Sequence, residues 1–163
     1  MSLIAFLAIG LSLVSPRSWG QTSDTAGGLQ VYRALTDVAL DPGRPLVLVF
    51  FSTACPVCFD DLFEVRYFVE KNGLEAEVVG VTRDPESALR TFLEKYAYRR
   101  PVVRDAGKKL FRAHKVDLEP YVVILDNGRV VFKDNGLLDF KSRREEREKW
   151  LMRNAGRSTA ASS

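Results

Sequence analysis

Leu46-Val47-Leu48-Val49-Phe50-Phe51-Ser52-Thr53-Ala54-Cys55-Pro56-Val57-Cys58 is the stretch that decides the fold. Its first six residues form an unbroken apolar run, which predicts a strand buried on both faces. Residues 56–71 carry apolar side chains at Phe59, Leu62, Phe63 and Val69, and Asn72-Gly73 can end a helix there. Cys55 and Cys58, the only cysteines of the chain, therefore fall where a buried strand hands over to a helix.

Outward from this core the pattern alternates. Residues 29–40 place Val31, Leu35 and Val38 at a helix-like spacing, and Asp41-Pro42-Gly43 marks a turn. Residues 76–81 read as a second strand. Residues 85–96 read as a helix, with Pro85 in its first turn and Glu86 near the positive end of its dipole. Residues 101–103 are a short strand and residues 107–115 a short helix. Residues 121–125 and 129–132 are strands joined by Asp126-Asn127-Gly128, a hairpin signal. Residues 141–153 form a charged helix carrying Trp150 and Leu151. Alternation followed by a hairpin predicts an α/β fold, a mixed central β-sheet flanked by helices on both faces.

The chain has 163 residues, enough for one domain. Its 46% hydrophobic and 28% charged composition suits a folded domain. A net charge of +3, from 24 Lys and Arg against 21 Asp and Glu, gives no reason to expect nucleic acid as a partner. Two cysteines and one histidine cannot supply the four ligands of a tetrahedral zinc site within one chain, and no metal site is expected. They also exclude a multi-disulfide framework.

Residues 3–14 are apolar and uncharged. Twelve residues are too few to span a bilayer comfortably but suit the core of a signal peptide. Ser18 and Gly20 are small residues at the −3 and −1 positions of a cleavage after Gly20. No Lys or Arg precedes the run, a departure from the usual pattern. The expected layout is a signal peptide or uncleaved anchor over 1–20, a flexible lead-in over 21–28, the folded domain over 29–155 and a disordered tail over 156–163. The expected location is periplasmic or otherwise exported, membrane-anchored if the first segment stays, and oxidising.

Between a strand and a helix, a Cys-x-x-Cys pair is a redox candidate. Cys55 would sit at the helix N-cap, where free N–H groups and the dipole stabilise a thiolate. Pro56 takes the first helical position, where its missing N–H costs nothing. Cys58 lies one turn on, placed to resolve a mixed disulfide formed at Cys55. Three plainer readings stay open: a structural disulfide, half of an intermolecular metal site, and two inert buried thiols. A structural bridge closing so short a loop would constrain the unfolded chain little.

These features resemble the thioredoxin superfamily, and within it the exported TlpA-like branch, which includes the cytochrome c maturation thioredoxins. The strand followed by Cys55-Pro56-Val57-Cys58 carries most of the resemblance. The segment Val116-Asp117-Leu118-Glu119-Pro120-Tyr121-Val122-Val123-Ile124-Leu125-Asp126-Asn127-Gly128 resembles the family's cis-proline loop, strand and turn. Val78-Val79-Gly80-Val81, the helix after it and Pro101-Val102-Val103-Arg104-Asp105 resemble the extra strand-helix insertion of the branch. The likeness covers about residues 46–136.

The resemblance implies a thioredoxin-like fold and a protein-disulfide reductase or oxidoreductase whose catalytic residues are Cys55 and Cys58. It needs no cofactor beyond that redox-active pair. It implies a cis Pro120 facing the cysteines, in a loop that clamps an extended partner strand; a trans turn proline is the plainer alternative. Ala54, Pro56, Val57, Glu119 and Pro120 would line the substrate groove. The implied partners are disulfide- or thiol-bearing exported proteins and a membrane electron-donor protein, met by a monomer. Two departures stand out. Ala54 replaces the usual Trp, and Glu119 replaces the usual Thr, bringing a charge that would oppose thiolate formation at Cys55.

Asp61 follows Cys58 at i+3, where the branch often has Glu, and by resemblance would move a proton to or from Cys58. The plainer reading of Asp60 and Asp61 is two acids favouring the helix dipole. No acid lies in the first strand. His114, in a basic stretch, reads as a surface or helix-end residue. Seven bases and three acids over residues 141–157 read as a solvated helix face. Two other functions compete on the same fold. A peroxiredoxin-like peroxidase needs Pro seven residues before its cysteine and Thr or Ser three before; Ser52 fits, but Leu48 occupies the first position. A non-enzymatic binding module would keep the cysteines oxidised.

Overall fold

The computed structural model describes residues 28–135 and 139–157. Expectations for residues 1–27 and for 158–163, the signal segment and most of the tail among them, lie outside the described residues. The apolar run forms strand β2, Leu46–Phe50. It pairs in parallel with β4, Glu77–Thr82, and antiparallel with β6, Tyr121–Asp126. Beyond β4 lie β5, Val102–Arg104, and β1, Val31–Tyr32; beyond β6 lies β7, Arg129–Asn135. The six strands run in the order β1-β5-β4-β2-β6-β7, a mixed sheet as expected.

The period of a strand sorts β2 onto two cores. Val47, Val49 and Phe51 join a cluster with Leu62, Val65 and Val69 of helix α1, Pro56–Lys71, and with Leu89, Phe92 and Leu93 of α2, Glu86–Lys95. Leu48 and Phe50 face the opposite cluster, with Phe111 of α3, Lys109–His114. Each such buried side chain contributes about 1.5–3 kcal/mol. Gly80 makes this packing possible: a Cβ there would stand 3.0 Å from the Phe51 ring. Asn127 and Gly128 both have positive φ, the geometry of the tight hairpin turn joining β6 to β7.

Two expectations need correction. Residues 29–40 are not a helix. Val31–Tyr32 pair with Val102 and Val103 on the sheet edge, and Leu35–Asp37 form one 3-10 turn closed by the Asp37 carboxylate on Ala34 N–H. An open strand edge outcompeted the helical spacing of a segment too short to nucleate well. The tail reading also fails for its first two residues. Gly156–Arg157 form strand β8, antiparallel to β3, Leu74–Glu75.

Helix α4, Phe140–Asn154, is more than a solvated face. Arg147 is only 2% exposed and donates to both oxygens of Asp61, itself fully buried on α1, at 3.0 and 3.4 Å. One turn away, Arg144 pairs with Glu64 at 2.7 Å. A basic residue on the inner face goes unnoticed in a charge count because its partner is 86 residues away. Removing one member of such a pair leaves a buried charge uncompensated. Arg147→Met is expected to cost about 3–5 kcal/mol in denaturant unfolding, and adding Asp61→Leu to recover most of it.

His114 ends α3 with its ring 5.9 Å from that of Phe50. Partial burial, then the charge of Lys133, lower its pKa from 6.5. The unfolded chain therefore takes up a proton before the folded one. Stability should fall as pH drops below 6.5 and level off once folded His114 is protonated. Urea midpoints measured from about pH 7.5 to about pH 5.5 should show a smaller loss in His114→Gln than in the wild type.

Candidate active site

Beyond Phe50 the chain keeps its sheet pairing for one more residue: Phe51 N–H donates to Val81 C=O at 2.9 Å. Ser52-Thr53-Ala54 then turn tightly, with Cys55 N–H on Ser52 C=O at 3.2 Å. Cys55 is the extended N-cap of α1 and Pro56 its first residue. Cys58 N–H donates back to Cys55 C=O at 3.0 Å, and the two cysteines form a disulfide with Cα atoms 5.3 Å apart. The pair is asymmetric. Cys55 is partly exposed, whereas Cys58 is 1% exposed inside the core of α1. No side chain caps α1. The positive end of its dipole is thus left to stabilise a thiolate at Cys55 once the bridge is reduced.

The second wall comes from the loop before β6. The Glu119–Pro120 bond is cis, as the resemblance implies. Tyr121, the next residue, pairs with Phe50, so this loop lies at the same end of the sheet as the cysteines. Pro120 is buried; Ala54, Pro56 and Val57 are exposed, Val57 by 53%. Leu118, 57% exposed on the proline loop, adds an apolar side chain that the sequence reading did not single out. The Glu119 side chain is 10% exposed. Its Oε2 accepts from Arg83 at 3.1 Å, while Oε1 is buried without a hydrogen-bond partner among the described residues. The carboxylate expected to oppose the thiolate is thus offset by a guanidinium 36 residues away.

Asp84, next to Arg83, is the residue the sequence reading missed. Its carboxylate accepts from Thr53 N–H, from Thr53 Oγ1 at 2.7 Å and from Ser52 Oγ at 3.3 Å. Asp84 is itself held by Thr82 Oγ1 on its N–H and by Arg104 on its C=O. The available signal was position: Asp84 leaves the C-terminal end of the strand beside β2, the sheet end where sites gather in open parallel sheets. Asp61 shares α1 with Cys58 and is buried like it, but both its oxygens are engaged by Arg147. Asp60 is exposed.

A family model described as AhpC/TSA matches residues 29–144, well over half of the chain. The chain belongs to the AhpC/TSA family. Among curated proteins none matches it. Solved structures resemble this family member in fold. StoA from Bacillus subtilis is 17% identical, with 68% of this chain and 84% of that one covered and a TM-score of 0.55. A thioredoxin-like protein from Porphyromonas gingivalis is 21% identical, covering 72% and 82%, TM-score 0.57. A secreted Mycobacterium tuberculosis disulfide oxidoreductase homologous to E. coli DsbE is 21% identical, covering 67% and 83%, TM-score 0.54. This AhpC/TSA protein accordingly has a thioredoxin-like fold and is an oxidoreductase whose redox group is the Cys55–Cys58 disulfide.

Asp84→Ala removes the acceptor of three donors beside the cysteines. It should cost about 1–3 kcal/mol in denaturant unfolding. Amide exchange should accelerate at Thr53 and Ala54, and stay unchanged at Leu110 and Phe111, which Asp105 holds instead.

Proposed function

We propose that the protein is an exported thiol–disulfide oxidoreductase of the TlpA-like branch, related to the cytochrome c maturation type, that works as a monomeric reductase. The observation that carries this reading is the asymmetry of the pair: Cys55 reachable at the helix start, Cys58 1% exposed behind it. The Cys55 thiolate attacks one sulfur of a partner's disulfide. A mixed disulfide forms and the partner's other sulfur leaves as a thiolate. Cys58 then attacks the Cys55 sulfur, releasing the partner's second thiolate and restoring the Cys55–Cys58 bridge. Two electrons have passed from the protein to its partner. Asp61 is the carboxylate proposed to accept the Cys58 proton.

Ala54, Pro56, Val57, Glu119 and Pro120 form the groove for the partner strand, with disulfide- or thiol-bearing exported proteins as substrates. With no third cysteine in the chain, the electrons must come from another protein or thiol, and a membrane electron donor is proposed. Export rests on the apolar segment at residues 3–14.

The peroxidase alternative meets two obstacles. Leu48 stands where that chemistry needs a proline, and the Ser52 hydroxyl is turned to Asp84. The proposal is tested by expressing Cys58→Ser in an exporting host. Covalent capture of periplasmic proteins through Cys55, reversed by dithiothreitol, is expected. Cys55→Ser should lose at least about a thousandfold in disulfide reduction, the scale of a lost nucleophile. Rapid turnover of peroxide with no captured protein would overturn the reading in favour of a peroxidase. No capture and no turnover would favour a binding module.

A further inference from the structure

A groove of about 500 Å³ opens beside the active site, between α3 and the segment leading to Glu119. Its floor is apolar, Phe111 and Val116. Its rim carries four cations, Arg83, Lys108, Arg112 and Lys115, against one acid, Asp117. The chain as a whole is nearly balanced, with 24 bases and 21 acids, so this sorting is local. Elsewhere among the described residues several arginines are spent on carboxylates, as in Arg66–Glu70, Arg90–Glu86 and Arg144–Glu64. Among the described residues no carboxylate forms an ion pair with Lys108, Arg112 or Lys115, and all three are exposed.

Arg83 joins the groove to the site. Its guanidinium lies 5.1 Å over the Phe111 ring while its Nη2 holds Glu119. Lys108 and Lys115 stand just outside the two ends of α3, both at positive φ. At 1.5 Å per residue they are separated by about 10 Å along that helix, the length of about three residues of extended chain.

We propose that this groove binds an acidic segment of the disulfide-bearing partner: Asp or Glu residues within a few positions of the cysteine that Cys55 attacks. This rests on the exchange reading above and names the substrate class for it. A partner strand leaving the proline loop crosses Arg83 and enters the groove, where its carboxylates meet the three uncommitted cations. The Glu119 charge, already matched by Arg83, does not repel it.

The test uses two disulfide peptides of equal length, one with Glu and Asp flanking the cysteine and one with Lys. Reduced wild-type protein should reduce the acidic peptide with a kcat/KM at least about tenfold above that of the basic one at low salt, and the gap should close at high salt. In Lys108→Glu/Arg112→Glu the ratio should fall to unity or invert. Equal rates on both peptides, or a ratio unchanged in the variant, would overturn the proposal. Serine analogues of the peptides keep it separable from the exchange reading. Their binding to oxidised protein, followed by fluorescence anisotropy, should show the same tenfold order and the same loss in the variant. Absence of that order defeats the groove even if exchange is fast. Its presence upholds the groove even if neither peptide is reduced.

Discussion

Strand β2 is covered on both faces and paired on both edges, and everything at the site follows from that constraint. Val47 to Phe50 are each fully buried, so the strand has no freedom to slide. A one-residue slip would exchange Val47 and Val49 with Leu48 and Phe50 between two differently shaped cores. The cysteine turn is the first stretch of chain released from that grip. Its position is therefore fixed by a fully buried central strand, although the turn itself is only partly buried.

The chemistry is local in sequence while its support is remote. Two cysteines, a proline and an uncapped helix start lie within a few residues and set the reactivity of the pair. What holds the turn comes from the end of β4, and what faces it comes from the start of β6. Antiparallel β6 and parallel β4 bring opposite chain ends to the same edge of the sheet. Such a mixed arrangement lets a loop before a strand and a loop after a strand meet at one site.

This division explains what the sequence made legible. The 56–71 helix, the hairpin at Asn127-Gly128 and the cysteine turn all rest on local signals: an apolar period, Pro56 at a helix start, two residues suited to positive φ. The cis Pro120 was legible only through resemblance. Where sequence reasoning fell short, the deciding partner was distant. The 29–40 segment took the free edge of β5, and Gly156–Arg157 took that of β3, neither of which shows in composition. Arg147 looked like one more base on a charged helix until α4 packed on Asp61. Asp84 and Arg83 were not singled out, because their roles depend on Thr53 and Glu119, 31 and 36 residues away.

Arg83 and Asp84 are consecutive, and each grips a different wall of the cleft. The spacing between the cysteine turn and the proline loop is therefore gauged by a single peptide unit at the end of β4. A displacement of that unit therefore reaches both walls at once. An insertion between Thr82 and Pro85 would shift both walls at once, making this short connection the place where relatives with a wider or narrower cleft should differ.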